Sequence, residues 1–156
     1  MNPNRRQSMQ AAASLGLYGA LVAIGLLSGD EAAAQAFDQA AFQAKSVADT
    51  LKALGATPVS DSRDVLINSP DIAENGAVVP VGVRSSLPKT QMLALLIEKN
   101  PLTLAGVYEL ADITEPEVNM RVKMGQTSDV IAVVKADGKF YTARKEIKVT
   151  LGGCGG

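Results

Sequence analysis

The chain has no histidine, no tryptophan and a single cysteine among its 156 residues. Without histidine there is no Ser-His-Asp or Cys-His catalytic pair and no histidine-ligated metal. One cysteine excludes an internal disulfide and any multi-cysteine metal cluster. Aromatics are also few, three tyrosines and three phenylalanines, so a hydrophobic core must be mainly aliphatic. Neither sign of charge dominates, since 15 basic and 16 acidic residues leave −1. Such a balance lacks the basic excess that marks nucleic-acid binding.

What is present begins with a segment that looks like a leader. Arg5-Arg6 precede an uncharged stretch from Ala11 to Leu27, and Ala34-Gln35-Ala36 supplies a small-x-small cleavage pattern. Residues 1–36 are therefore expected to be a signal peptide, whose removal leaves about 120 residues. The competing account, a membrane anchor, is weakened by the many Ala and Gly in that stretch. The paired arginines resemble a twin-arginine (Tat) signal, although Asn4 precedes them and Ser8-Met9 stand where that motif has a bulky apolar pair. Either export route leads out of the cytoplasm, with the periplasm as the expected compartment. Loss of the leader removes two residues of each sign, leaving 13 basic and 14 acidic.

Residues 37–60 read as a helix and linker. From Phe37 to Leu54 the apolar Phe37, Ala40, Ala41, Ala44, Val47, Ala48, Leu51 and Leu54 recur at spacings of three and four, up to Gly55. That spacing predicts one amphipathic helix with Asp38, Gln39, Lys45, Asp49 and Lys52 on its polar side. Thr57 to Asp61 reads as a loop. Beyond it the period becomes two, and residues 61–151 are expected to form an all-β, immunoglobulin-like sandwich of about seven strands. Those strands are Val65 to Ile67, Ala77 to Ser85, Gln91 to Glu98, Leu102 to Leu110, Val118 to Met124, Asp129 to Lys135 and Phe140 to Leu151. Pro80 implies an edge or a bulge in the second, and Gln91 to Glu98 suits a buried strand better than a short helix. Val118, Met120, Val122 and Met124 alternate with Asn119, Arg121 and Lys123, as a half-buried strand does. Val130, Ile131, Val133 and Val134 are apolar on both faces, as in a central strand, and Asp137-Gly138 fits a type I′ hairpin turn. On the last strand Tyr141, Ala143, Ile147, Val149 and Leu151 share a face, Arg144, Lys148 and Thr150 take the other, and Lys145 breaks the alternation. A bulge or an edge is expected there.

The chain ends Gly152-Gly153-Cys154-Gly155-Gly156. Two glycine pairs make residues 152–156 a thin, flexible arm whose only side chain is the thiol. Free cysteine titrates near 8.5, so about 3% would be thiolate at neutral pH, and no cation stands beside Cys154 to raise that fraction. The sulfur is presented, but nothing in the tail activates it. Lys139, Arg144, Lys145 and Lys148 lie on or near the strand leading to the arm and fit a solvated face, or a surface for an anionic substrate or partner. Asp112, Glu115 and Glu117 around Pro116 read as solvent-facing loop charges.

Leu151 to Gly156, with its terminal GGCGG, resembles the ending of the SoxY family of sulfur carriers. Pro70-Asp71-Ile72-Ala73-Glu74-Asn75-Gly76 followed by Val79-Pro80-Val81 resembles that family's internal signature, and Glu98-Lys99-Asn100-Pro101 a further short motif. The resemblance implies a covalent substrate carrier rather than an enzyme, with Cys154 as the attachment point and no cofactor or metal. It implies SoxZ, absent from this chain, as heterodimer partner, the ending at Gly156 arguing against a fused form. It also implies transient work with the SoxAX cytochrome complex, the SoxB hydrolase and the SoxCD sulfane dehydrogenase. Two rivals stand beside it: a ubiquitin-like carrier holding sulfur as a thiocarboxylate on Gly156, and a structural or adhesion-type secreted sandwich whose tail cysteine forms an intermolecular disulfide. A prenylated tail is disfavoured, because that signal places three residues after the cysteine and two follow here.

Overall fold

A computed structural model describes residues 39–111 and 114–150. The chain divides into two units, residues 1–36 and residues 37–156, and every described residue lies in the second.

The single helix expected from Phe37 to Leu54 is interrupted. Residues 39–43 are helical, and the chain then re-enters a helix at α1, Val47–Ala53, after an extended Ser46. The break has a local cause. The Ser46 Oγ accepts the Asp49 N–H at 3.1 Å and donates to the Asp49 carboxylate at 2.7 Å, an N-cap with an acidic residue in the first turn. Gly55 ends α1 with φ +63; its N–H reaches the Lys52 carbonyl and that of Ala56 reaches Leu51, a Schellman cap. The buried face also shifts from the expected one. Thr50 is fully buried, its hydroxyl donating to the Ser46 carbonyl at 2.8 Å, while Ala40 and Ala48 are exposed.

Two sheets face each other beyond the helix. One contains β1 (Val59–Asp61), β3 (Ile72–Ala73), β5 (Thr90–Ile97), β6 (Leu104–Glu109), β8 (Ser128–Ala136) and β9 (Lys139–Val149). Its order is β1-β9-β8-β5-β6, with β3 also on β9. The other is β2 (Val65–Asn68), β4 (Val79–Ser85) and β7 (Glu117–Val122) in the order β2-β4-β7. The β-sandwich expected from the period-two segments is the fold.

Several strand details differ from expectation. Val59–Asp61 is a strand and not a loop, lying parallel to β9 with Ser60 opposite Tyr141. Three residues are too few to show a period, so only the partner reveals it. β4 is the middle strand of its sheet, not an outer one. Pro80 is tolerated because β2 stops pairing at Asn68 opposite Gly82, leaving that side of Pro80 without a ladder. Of the bulge or edge expected at Lys145, there is no bulge, since the β8–β9 register is unbroken from Ser128–Ile147 to Ala136–Lys139. There is a local edge, because Lys145 lies outside both the β1 ladder, which ends at Thr142, and the β3 ladder, which begins at Lys148. The β5–β6 ladder is irregular near Gly106, with a register shift where Leu95 faces Gly106 and Leu96 faces Leu104. Asp137 and Gly138 both have positive φ, +49 and +74, as a type I′ turn requires.

The large sheet is buried on both faces. Leu93, Leu95, Ile97, Val130, Ala132 and Val134 point between the sheets, toward Val79, Val81 and Val83 of β4. The alternate residues Met92, Ala94, Leu96, Ile131 and Val133 form a second cluster with Ala41, Leu54 and Ala56. The N-terminal segment therefore roofs the outer face, which is why β5 and β8 read as continuous apolar runs.

Candidate functional site

Cys154 and its flanking Gly152, Gly153, Gly155 and Gly156 lie outside the described residues, as does Leu151. The structure describes the root from which that tail departs, and the root is elaborately held.

The pairing of β9 with β8 ends at Ile147 opposite Ser128. Three further residues are nevertheless bound. The Lys148 N–H donates to the Asp71 carbonyl at 2.9 Å and that of Thr150 to Ala73 at 3.1 Å. Between them the Val149 N–H turns the other way, to the Thr127 Oγ1 at 3.0 Å. The Thr150 hydroxyl adds a longer bond to the Ala73 carbonyl, 3.4 Å. Ile72 faces Lys148 and Ala73 faces Val149 in parallel register.

The segment doing this holding is the 70–76 motif. Asn75 shapes its end, the Oδ1 accepting the Ala77 N–H at 2.9 Å, an Asx-turn. Gly76 then passes so close to Met124 that the Met124 N–H donates to its carbonyl at 2.7 Å. A Cβ at residue 76 would collide with the Met124 carbonyl and lie 2.8 Å from Val149 Cγ1. Glycine is required here for close approach, not for a positive φ. Upstream, the Lys145 ammonium donates to the Ser69 carbonyl at 2.7 Å and pairs with Asp71 at 3.0 Å. Its stem lies along the inner face at the rim while its charge reaches outward, which explains the broken alternation without a bulge.

The basic residues of β9 do not form one free patch. Arg144 is bound to Asp129 at 2.8 Å and Glu98 at 3.4 Å. The hydrogen bond that Arg144 donates to Asp129 moves its pKa above the ordinary guanidinium value, against the opposing effect of burial and with help from the charges of Glu98 and Asp129. Lys139 and Lys148 are exposed and make no ion pair among the described residues. Glu115 and Glu117 flank Arg84 at 3.6 and 3.9 Å on the surface; Glu115 is a loop charge as expected, whereas Glu117 is the first residue of β7, opposite Arg84, and Asp112 is outside the described residues. Among the described residues no group of three His, Cys, Asp or Glu could hold a metal ion, and no helix is long and apolar enough to cross a membrane. An open groove of about 540 Å³ between Pro58 and Phe140 lies at the start of β9, the opposite end from the tail.

Sequence reasoning located the thiol and the 70–76 motif, but missed Thr127, Thr150 and Lys145 as the groups that tie the motif to the root. The available signal was the motif itself, whose turn residues have no obvious purpose in a hairpin.

The chain matches the model of the family described as sulfur oxidation protein SoxY over residues 50–154. A solved structure, the sulfur carrier protein SoxY from Chlorobium limicola f thiosulfatophilum, is 35% identical, with a TM-score of 0.60. That match covers 65% of this chain and 92% of the other. Superoxide reductase (Neelaredoxin) from Ignicoccus hospitalis is similar at 20% identity and a TM-score of 0.51, covering 56% of this chain and 81% of that one. At such identity the second likeness concerns the fold alone. No curated protein matches the chain.

Proposed function

The chain belongs to the SoxY family of sulfur carriers, and from that membership we infer that it is a periplasmic carrier whose Cys154 holds thiosulfate-derived sulfur covalently. The observation that carries this reading is the extent of the family match, which runs from the helix at residue 50 through Cys154 itself. The rooted last strand, the absence of histidine and the leader-like residues 1–36 support it.

The chemistry asks little of this chain. In the loading step the Cys154 thiol gives up its proton, a sulfur–sulfur bond forms to thiosulfate, and two electrons leave to a c-type cytochrome partner of the SoxAX kind. Water then cleaves the terminal sulfonate as sulfate in a SoxB-type hydrolase, leaving a persulfide that a SoxCD-type dehydrogenase oxidises further. This chain supplies the nucleophilic sulfur and its delivery, and the partners supply activation. SoxZ is the proposed heterodimer partner.

Intact mass spectrometry of the protein from cells oxidising thiosulfate, with and without reductant, tests the reading. The expected result is a set of reductant-labile sulfur adducts, all lost in Cys154→Ser. An unmodified thiol under those conditions, together with full thiosulfate oxidation by Cys154→Ser, would overturn it. Adducts that survive the substitution would instead point to Gly156 as a thiocarboxylate.

A further inference from the structure

We propose that residues 69–76 and the Thr127 hydroxyl form a clamp that holds the chain through Thr150 and so limits the tether of Cys154, with Thr127 as a positioning residue for sulfur delivery. The proposal deepens the carrier reading and rests on it for its purpose, though its test requires no sulfur adduct.

The argument starts from where the strand could have ended. The β8 ladder stops at Ile147, and an unassisted chain would be released there. Instead the next three N–H groups are bound alternately on two sides, to the carbonyls of Asp71 and Ala73 and to the Thr127 hydroxyl. The segment that captures them is itself tied to both sheets. Lys145 of the large sheet holds the Ser69 carbonyl, and Met124, just beyond β7 of the small sheet, holds Gly76. Residues 148–150 are thereby held by the whole body and not by one strand end.

The consequence is the length of the tether. From Thr150 to Cys154 is four residue steps, at most about 14 Å; from Ile147 it is seven, about 25 Å, at roughly 3.3–3.6 Å per residue. Releasing the clamp would dilute the thiol at a fixed partner site by about two- to fivefold. A short, fixed tether suits a carrier that must reach several different active sites in one defined geometry.

Thr127→Val removes the hydroxyl at nearly constant volume, and Thr127→Ser keeps it. Because Cys154 is the only cysteine, a nitroxide on it, paired with a second on Glu109→Cys at the far end of the large sheet, reports the position of the tail by double electron–electron resonance on the full chain. The distance distribution should broaden in Thr127→Val and keep its width in Thr127→Ser. The Val149 and Thr150 amides should exchange about tenfold faster in the valine variant only, as expected for loss of one hydrogen bond at a strand end. Gly76→Ala should broaden the distribution in the same direction. Unchanged width and exchange in Thr127→Val would overturn the proposal. So would equal broadening in the serine variant, or faster exchange spread evenly over β4, β5 and β8, which would make Thr127 a general support. Narrow distances with normal sulfur adducts in the variants would sink the clamp alone, whereas broadening in a chain that never carries sulfur would sink the carrier reading alone.

Discussion

At Gly76 a whole side chain is excluded by two neighbours, the Met124 carbonyl and Val149 Cγ1. Gly76→Ala should therefore cost about 1–3 kcal/mol through forced displacement of backbone, measured by urea unfolding. Its neighbour in the clamp, Asp71, behaves differently. Its carboxylate is 87% exposed where it meets Lys145, so Asp71→Asn should change stability by less than about 0.5 kcal/mol. What Asp71 contributes is its main-chain carbonyl, which the substitution leaves in place. In the core the scale is larger. Leu95 is fully buried between the sheets, and Leu95→Ala should cost about 2–5 kcal/mol by the same measurement, depending on how far the cavity closes.

Helix α1 shows how an element is defined at its ends. Its seven residues are too few to be stable alone, so the Ser46 cap and the Gly55 cap fix its limits while packing on the large sheet supplies most of its stability. Ser46→Ala should lower stability by about 1 kcal/mol. Gly55→Ala should cost about 1–2 kcal/mol, because residue 55 sits at φ +63, where a Cβ is strained. Amide exchange across α1 would separate such local losses from global ones, with Thr50 and Leu54 affected first. Strand β4 carries a related lesson: a proline is acceptable in a middle strand where the neighbouring strand has already ended.

The molecule as a whole is a sandwich with a roof. The outer face of the large sheet carries Met92, Leu96, Ile131 and Val133, all buried under residues 41–56. Removing the chain up to residue 56 would bare that face, and a contiguous apolar surface of this kind drives association. The expected outcome is loss of a monodisperse species in light scattering, even though the core between the sheets is untouched. A fold that kept its solution state after this truncation would show that the roof is dispensable. Electrostatics contributes less at this scale, since the ion pairs other than that of Lys145 involve side chains that are largely exposed or sit in the partly exposed Arg144 cluster.

The sequence by itself determined the class of the fold, the one thiol and the excluded chemistries, because each follows from composition or from short-range periodicity. Val118 to Met124 alternates along seven residues, and Asp137-Gly138 carries its turn type in its own dihedral preference, so both were legible. The break at Ser46 was legible too, in the Ser-x-x-Asp spacing, but the longer apolar period from Phe37 to Leu54 masked it. Only the tertiary structure decided which segments pair at a distance. Lys145 meets Ser69 across 76 positions of sequence, and no local pattern in Val59–Asp61 or Ile72–Ala73 announces a strand whose partner is β9. The GGCGG tail is written in the residues, whereas its root is built from three separate parts of the chain, around Asp71, Met124 to Thr127, and Thr150, that come together only when both sheets have formed.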